Sequence, residues 1–263
     1  MGPASCYLPG FNLTCDTGHQ PPRLLAGING SLLVDSINLQ EATVRAFRAG
    51  AFIDNSQDNT FDFSSLFEEA PFWLSIYNQL TLVGCNAKAA LRGHSTDGTY
   101  SGCASFCFGA TADTPIHGVT GCYGMGCCQA HISMSTDGAM PTTLYLEQSE
   151  EWYNLGGTNP SPVYVFITEE GWFDNHPSFS ADPLSVATRS QDVPIILQWE
   201  VLPMRWLPKP DAKLHPNCSW QVTQKLCRSK HSYCKPGKRG YTCHCEDSYV
   251  GNPYSPDNDG CKG

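Results

Sequence analysis

Fourteen cysteines in 263 residues constrain this chain more than any other feature. An even count at this density reads as the disulfide framework of an exported protein, since cytosolic chains keep few cysteines without a metal site. They fall into two groups. Cys6, Cys15, Cys85, Cys103, Cys107, Cys122, Cys127 and Cys128 lie in the first half, and Cys218, Cys227, Cys234, Cys243, Cys245 and Cys261 crowd the end. The stretch between Cys128 and Cys218 has none and needs an ordinary core. The 41% apolar fraction supplies one, and 16% charged residues is too few for a polyelectrolyte or a long Lys/Glu helix. No window reaches the roughly 20 apolar residues of a membrane helix. Three sequons, at Asn12, Asn29 and Asn217, agree with export, whereas Asn159-Pro160-Ser161 is blocked by its proline. Met1-Gly2-Pro3-Ala4-Ser5-Cys6 carries neither the basic nor the apolar region of an export signal. Export therefore requires a leader that has been removed or that lies upstream.

Strand signals dominate. Val193, Ile195, Leu197, Trp199 and Val201 alternate with Pro194, Ile196, Gln198 and Glu200, the period of a half-buried strand. Val163 to Ile167, Leu80 to Val83, Ala42-Val44-Ala46 and, more weakly, Leu144 to Leu146 are further strands. Ser64 to Gln79 has room for one or two helical turns around Pro71. The expected fold is mainly β, a disulfide-rich domain with long loops over residues 1–208 and a small module over 209–263. Leu207-Pro208-Lys209-Pro210-Asp211 marks the boundary, and charge changes sign across it. Residues 209–263 hold 9 basic and 5 acidic residues (+4), and residues 1–208 hold 7 and 20 (−13).

The last six cysteines are spaced C-x8-C-x6-C-x8-C-x1-C-x15-C. The single residue between the fourth and fifth resembles epidermal-growth-factor-like (EGF-like) modules, which are too small to stand without staples. Spacing alone allows fifteen connectivities. The resemblance implies Cys218–Cys234, Cys227–Cys243 and Cys245–Cys261. Calcium-binding members carry acidic or amide residues before the first cysteine and two after the third. Lys213 to Asn217 and Pro236 depart from that pattern, so calcium binding by this module is not expected. Zinc is the competing reading for Cys103, Cys107, Cys122, Cys127 and Cys128 with His131. Because adjacent cysteines pair poorly with each other, Cys127 and Cys128 are expected to have different partners.

A wider resemblance rests on Gly10 to Cys15, Ile37-Asn38-Leu39 with Ala42 to Arg45, Leu82 to Asn86, Gly102 to Cys107, Gly126 to Gln129, Glu169 to Phe173 and Gly251-Asn252-Pro253-Tyr254, in that order. The chain resembles the ectodomain of plant wall-associated receptor kinases, a galacturonan-binding cysteine-rich domain followed by an EGF-like module. Members begin with a cysteine pair and an Ile-Pro-Tyr-Pro-Phe-Gly phrase, so this N-terminus reads as truncated, with two of the first eight cysteines missing their usual partners. No kinase phosphate loop or catalytic loop occurs in the sequence. The implied location is extracellular, at the cell wall or the outer face of the plasma membrane.

The resemblance implies binding of pectin, as galacturonan or oligogalacturonide. A polyuronate needs cations or bridging Ca²⁺ for its carboxylates and aromatic faces for its rings. Candidate cations are Arg23, Arg45, Arg48, Lys88 and Arg92, with His94 nearby. The −13 balance requires a local basic patch or a Ca²⁺ bridge; no other cofactor and no nucleic acid is expected. The tail module offers a second seat, Lys230, Lys235, Lys238 and Arg239. Trp73, Tyr77, Trp152, Tyr153, Trp172 and Phe173 are candidate stacking residues, with Trp172 also suited to core packing. A protein- or peptide-binding module, or soluble decoy, is the alternative. A glycoside hydrolase is a remote one, because Glu169-Glu170 would diverge on a continuing strand, Glu68-Glu69 and Glu150-Glu151 read as surface charge, and no Gly-x-Ser-x-Gly elbow occurs.

Overall fold

The computed structural model describes residues 7–27, 30, 32–48, 52–54, 60–62, 71–93, 98–107, 122–133, 141–148, 163–176, 193–210, 217–256 and 259–263. Strands β1 to β8 are Thr14–Asp16, Arg23–Ala26, Leu32–Asn38, Thr43–Arg48, Phe52–Asp54, Thr60–Asp62, Phe72–Leu74 and Asn78–Val83. Strands β9 to β14 are Ala87–Gly93, Thr99–Ser105, Cys127–His131, Pro141–Gln148, Tyr164–Glu169 and Pro194–Trp199. Helix α1 (Trp220–Leu226) and strands β15 (Ser232–Pro236) and β16 (Tyr241–Cys245) complete the order. The protein is a mainly β, disulfide-rich chain with one α-helix among the described residues. The alternation from Val193 is realised in β14, where Ile195, Leu197 and Trp199 are buried between half-buried Ile196 and Gln198. No helical turn forms over residues 71–79, the described part of the stretch expected to hold one. Residues 63–70 lie outside the described set, and beyond Pro71 the chain runs extended, with Phe72, Trp73 and Leu74 all buried in β7.

The chain divides into two compact units, one of Met1–Arg45, Glu69–Trp73 and Leu197–Gly263, the other of Ala46–Glu68 and Leu74–Ile196. In the first, the strand order is β1-β2-β3-β4-β14-β7, with β4, β7 and β14 entering through 43–45, 72–73 and 197–199. The β15–β16 hairpin belongs to this unit, and Val201 and Tyr241 exchange backbone hydrogen bonds of 2.8 and 3.1 Å. Val201, Leu207, Val222, Leu226 and Tyr241 share one core with Cys227 and Cys243. Disulfides join Cys218 to Cys234, Cys227 to Cys243 and Cys245 to Cys261. Ser219 caps α1 by accepting from the Val222 N–H.

The second unit holds two four-stranded sheets, β10-β9-β12-β6 and β11-β8-β13-β5. Cys103–Cys128 staples β10 to β11, and the Ser101 hydroxyl donates to the Ala130 carbonyl beside it. Val83, Phe166, Trp172, Phe173 and Val193 pack with Cys122 and Cys127 on one face of the second sheet. Buried Asn78 fixes the start of β8. Its amide donates to the Ser75 and Ile196 carbonyls at 2.8 and 2.7 Å and accepts from the Ile196 N–H at 2.8 Å. Cys85–Cys107 and Cys122–Cys127 complete this unit's disulfides among the described residues. Cys127 and Cys128 thus have different partners, and none of the five cysteines weighed for zinc remains a thiolate. No helix among the described residues is long and apolar enough to cross a membrane.

Candidate functional site

Strand β9 shows why one face of the first four-stranded sheet is chemically distinct. Ala87, Ala89 and Leu91 are buried and Lys88, Ala90 and Arg92 face outward, because successive strand residues alternate sides. On β12, Leu144 and Leu146 point inward and Thr143, Tyr145 and Glu147 outward. Register aligns Thr143 with Arg92, Tyr145 with Ala90 and Glu147 with Lys88. On the far side of β9, Gly102 is opposite Ala90 and Ala104 opposite Lys88. Thr60 and Asp62 of β6 align with Tyr145 and Thr143. The result is a shallow face with a cation at each end and a nearly side-chain-free floor of Ala90, Gly102 and Ala104. A Cβ on Gly102 would stand 3.2 Å from the Ala89 carbonyl, tighter than ordinary contact.

The two cations are held differently. The Lys88 ammonium donates to Glu147 at 3.0 Å, one acceptor for three donors. Arg92 lies with its guanidinium carbon 4.7 Å from the Tyr145 ring centroid. Arg92 is exposed, and a guanidinium held over a ring can still offer its planar fork of N–H donors to a carboxylate. Four residues apart on one strand, the two charges are separated by about 13 Å.

The remaining candidate cations are placed elsewhere. Arg23 is exposed at the start of β2, opposite Asp16. The Gly18 N–H, and then His19 and Arg23, hold the Asp16 carboxyl below its ordinary range. Arg45 is half-buried and paired with Asp35 at 2.9 Å. Both belong to the first unit. The side chain of Arg48 and all of His94 lie outside the described residues, as do Trp152, Tyr153, Glu68, Glu69, Glu150, Glu151, Cys6 and Asn29. Asn12 and Asn217 are exposed. Cys15 forms no disulfide with a described residue.

In the tail module, backbone geometry employs two of the four basic positions. The N–H groups of Lys238, Arg239 and Gly240, in the turn joining β15 and β16, all donate to the buried Glu200 carboxylate. The Arg239 guanidinium sits 5.9 Å over Trp73, and burial pushes its pKa down. Gln40 adds a second tie, accepting from the Cys245 N–H and donating to the Cys245 carbonyl, both at 3.2 Å. An apolar cleft of about 290 Å³ in the same unit is lined by Phe11, Val34, Ile37, Phe72 and Trp199, with Tyr7, Asn252 and Tyr254 as its polar members, and offers a polyanion no cation.

Trp172 and Phe173 are core residues, with His176 stacked on Trp172 at 4.5 Å, and Trp73 is buried. Tyr77 is exposed. Glu169 ends β13 and Glu170 begins the turn, facing His131 at 3.6 Å. Among the described residues no three His, Cys, Asp or Glu side chains gather to hold a metal ion. Sequence reading missed Tyr145, whose signal was its place between two inward leucines.

Nearly the whole chain has counterparts in sequence. It is 29% identical over 98% of its length to wall-associated receptor kinase 5 of Arabidopsis thaliana, and 26% and 27% identical over 98% to wall-associated receptor kinases 2 and 3. The chain is a homologue of the wall-associated receptor kinases. It spans about a third of the length of these curated relatives, 32%, 31% and 33%. The similarity places it as receptor-kinase ectodomain sequence, which agrees with the six disulfides among the described residues and with an extracellular location. No family model and no solved structure matches it.

Proposed function

We propose that this wall-associated-kinase homologue binds de-esterified galacturonan at the cell wall, through the outer face of the β10-β9-β12-β6 sheet. The observation that carries the reading is the pair Lys88 and Arg92 on one face of β9, flanking Ala90 and the Tyr145 ring. A polyuronate repeats carboxylates along an extended chain, and this face repeats cations along a strand with little side-chain bulk between them. With −13 over residues 1–208, long-range attraction does not bring a polyanion to the protein, so affinity rests on local contact. A uronate carboxylate reaching Lys88 either displaces Glu147 or shares it through a Ca²⁺ ion bridging the two carboxylates. An EGF-like module is proposed over residues 209–263.

The test is titration of the disulfide-intact chain with oligogalacturonides, with and without Ca²⁺. Saturable binding that weakens with salt and with methyl esterification is expected. No saturable binding in either condition refutes the reading.

A further inference from the structure

At the β10 edge of the cationic face three large exposed side chains, Phe106, Tyr123 and Met125, are carried by one disulfide-tied segment. Phe106 follows the last residue of β10 and, two positions beyond Ala104, continues the outward series Gly102, Ala104, Phe106. It forms a parallel bridge with Met125, so Met125 projects to the same side. Phe106 and Met125 are 41% and 45% exposed, and neighbouring Tyr123 is 89% exposed.

The backbone beneath them is tied at every step. The Phe106 N–H donates to Gly124 at 2.8 Å, the Gly126 N–H to Phe106 at 3.0 Å and the Gly124 N–H to Cys127 at 2.8 Å. Cys122–Cys127 closes the loop carrying Tyr123, Cys103–Cys128 anchors its base to β10, and Cys85–Cys107 fixes the residue after Phe106. A Cβ at Gly124 would sit 3.4 Å from the Ala104 carbonyl, so this segment lies directly beyond the row Glu147, Lys88, Ala104. Two strand spacings, about 10 Å, separate it from the backbone of Lys88.

Resting on the galacturonan reading, we propose that Tyr123, bridged to Cys128 beside the Phe106–Met125 pair, is the ring-stacking end of that site. A uronate chain presents carboxylates at its edges and C–H groups on the faces of its rings. Lys88 and Arg92 meet the carboxylates, and Tyr123 meets a ring face further along the same glycan. The disulfide-locked loop gives the tyrosine little backbone entropy to lose on binding, and tyrosine adds only two rotatable angles. Charge complementarity and continuity with the Lys88 row select a uronate glycan as the occupant, because a purely apolar partner would leave Lys88 and Glu147 desolvated at its margin.

The experiment is calorimetric titration of the full disulfide-intact chain with one oligogalacturonide, at two salt concentrations, for wild type, Tyr123→Ala, Tyr123→Phe and Lys88→Ala. Tyr123→Ala should weaken binding about tenfold with its salt dependence intact, the size of a truncated interface anchor. Tyr123→Phe should stay within about twofold, since the ring carries the contact. Lys88→Ala should weaken binding and flatten the salt dependence. Wild type that binds while Tyr123→Ala binds equally well overturns the stacking role alone. Wild type that does not bind overturns the functional reading and the stacking role with it.

Discussion

Replacing Glu200 tests what orients the C-terminal hairpin. Glu200 directly follows β14, is 7% exposed, and holds the backbone N–H groups of Lys238, Arg239 and Gly240, the first two at 3.2 and 2.7 Å. Hydrogen bonds to a charged acceptor contribute about 1.5–3 kcal/mol each, and a buried donor left without one costs about 1–3 kcal/mol. Arg239 and Gly240 share Oε2 while Lys238 uses Oε1, so Glu200→Gln can keep its carbonyl oxygen on the first pair but turns an NH₂ group toward the Lys238 N–H, and roughly 1.5–3 kcal/mol is lost. Glu200→Ala removes both acceptor oxygens and all three bonds and should cost about 3–5 kcal/mol. Gly237 reports on the same contact from the other side, because a Cβ there would coincide with the Glu200 carboxyl. Gly237→Ala should therefore destabilise by an amount comparable to Glu200→Gln, and the double variant by less than the sum. The assay is urea unfolding of disulfide-intact protein followed by tryptophan fluorescence. A Glu200→Gln change within about 0.5 kcal/mol of wild type, the range of an ordinary surface substitution, would refute the reasoning.

Asn78→Ala should cost roughly 3 kcal/mol in the same assay, because the Ile196 N–H and two carbonyls lose a buried partner together. Burial raises the Tyr254 phenol above its ordinary range, outweighing the Cys243 N–H and the Trp199 contact that lower it. The neutral phenol is thus favoured in the folded state, so its contribution is full below the ordinary tyrosine pKa of about 10 and is lost as pH rises through the folded value. Stability curves of wild type and Tyr254→Phe should converge above that pH. Gly102→Val should leave stability within about 2 kcal/mol of wild type yet weaken oligogalacturonide binding, by placing a branched side chain on the floor beside Ala90.

The elements visible in the sequence were those whose side chains are mostly apolar and β-branched. Tyr164–Glu169 and Pro194–Trp199 are buried along most of their length, so composition and period agreed. Ala87–Gly93 was missed because its inward residues are two alanines and a leucine, too small to stand out against Lys88 and Arg92. From Pro71 onward the expected helix gives way to a strand, because Phe72, Trp73 and Leu74 are all buried, a tertiary demand that local spacing does not show. Lys88 and Arg92 were legible as cations, but only strand register shows that they share a face and that Arg45 is committed to Asp35. Tyr123 was hidden by its cysteines, since Cys122-x4-Cys127 announced a staple and gave no sign of the exposed ring it carries. The ties of Gln40 to Cys245 and of Glu200 to the hairpin turn span 205 and 38 to 40 positions and use backbone partners, which leave no residue-type signal.

Backbone amide chemical shifts of the disulfide-intact chain, followed during titration with an oligogalacturonide, test the central claim most directly. The shifts should move at Lys88, Ala90, Arg92, Gly102 and Tyr145, with residues 217–263 unchanged. Movement confined to residues 217–263 or to the walls of the apolar cleft, or none at all, would contradict it.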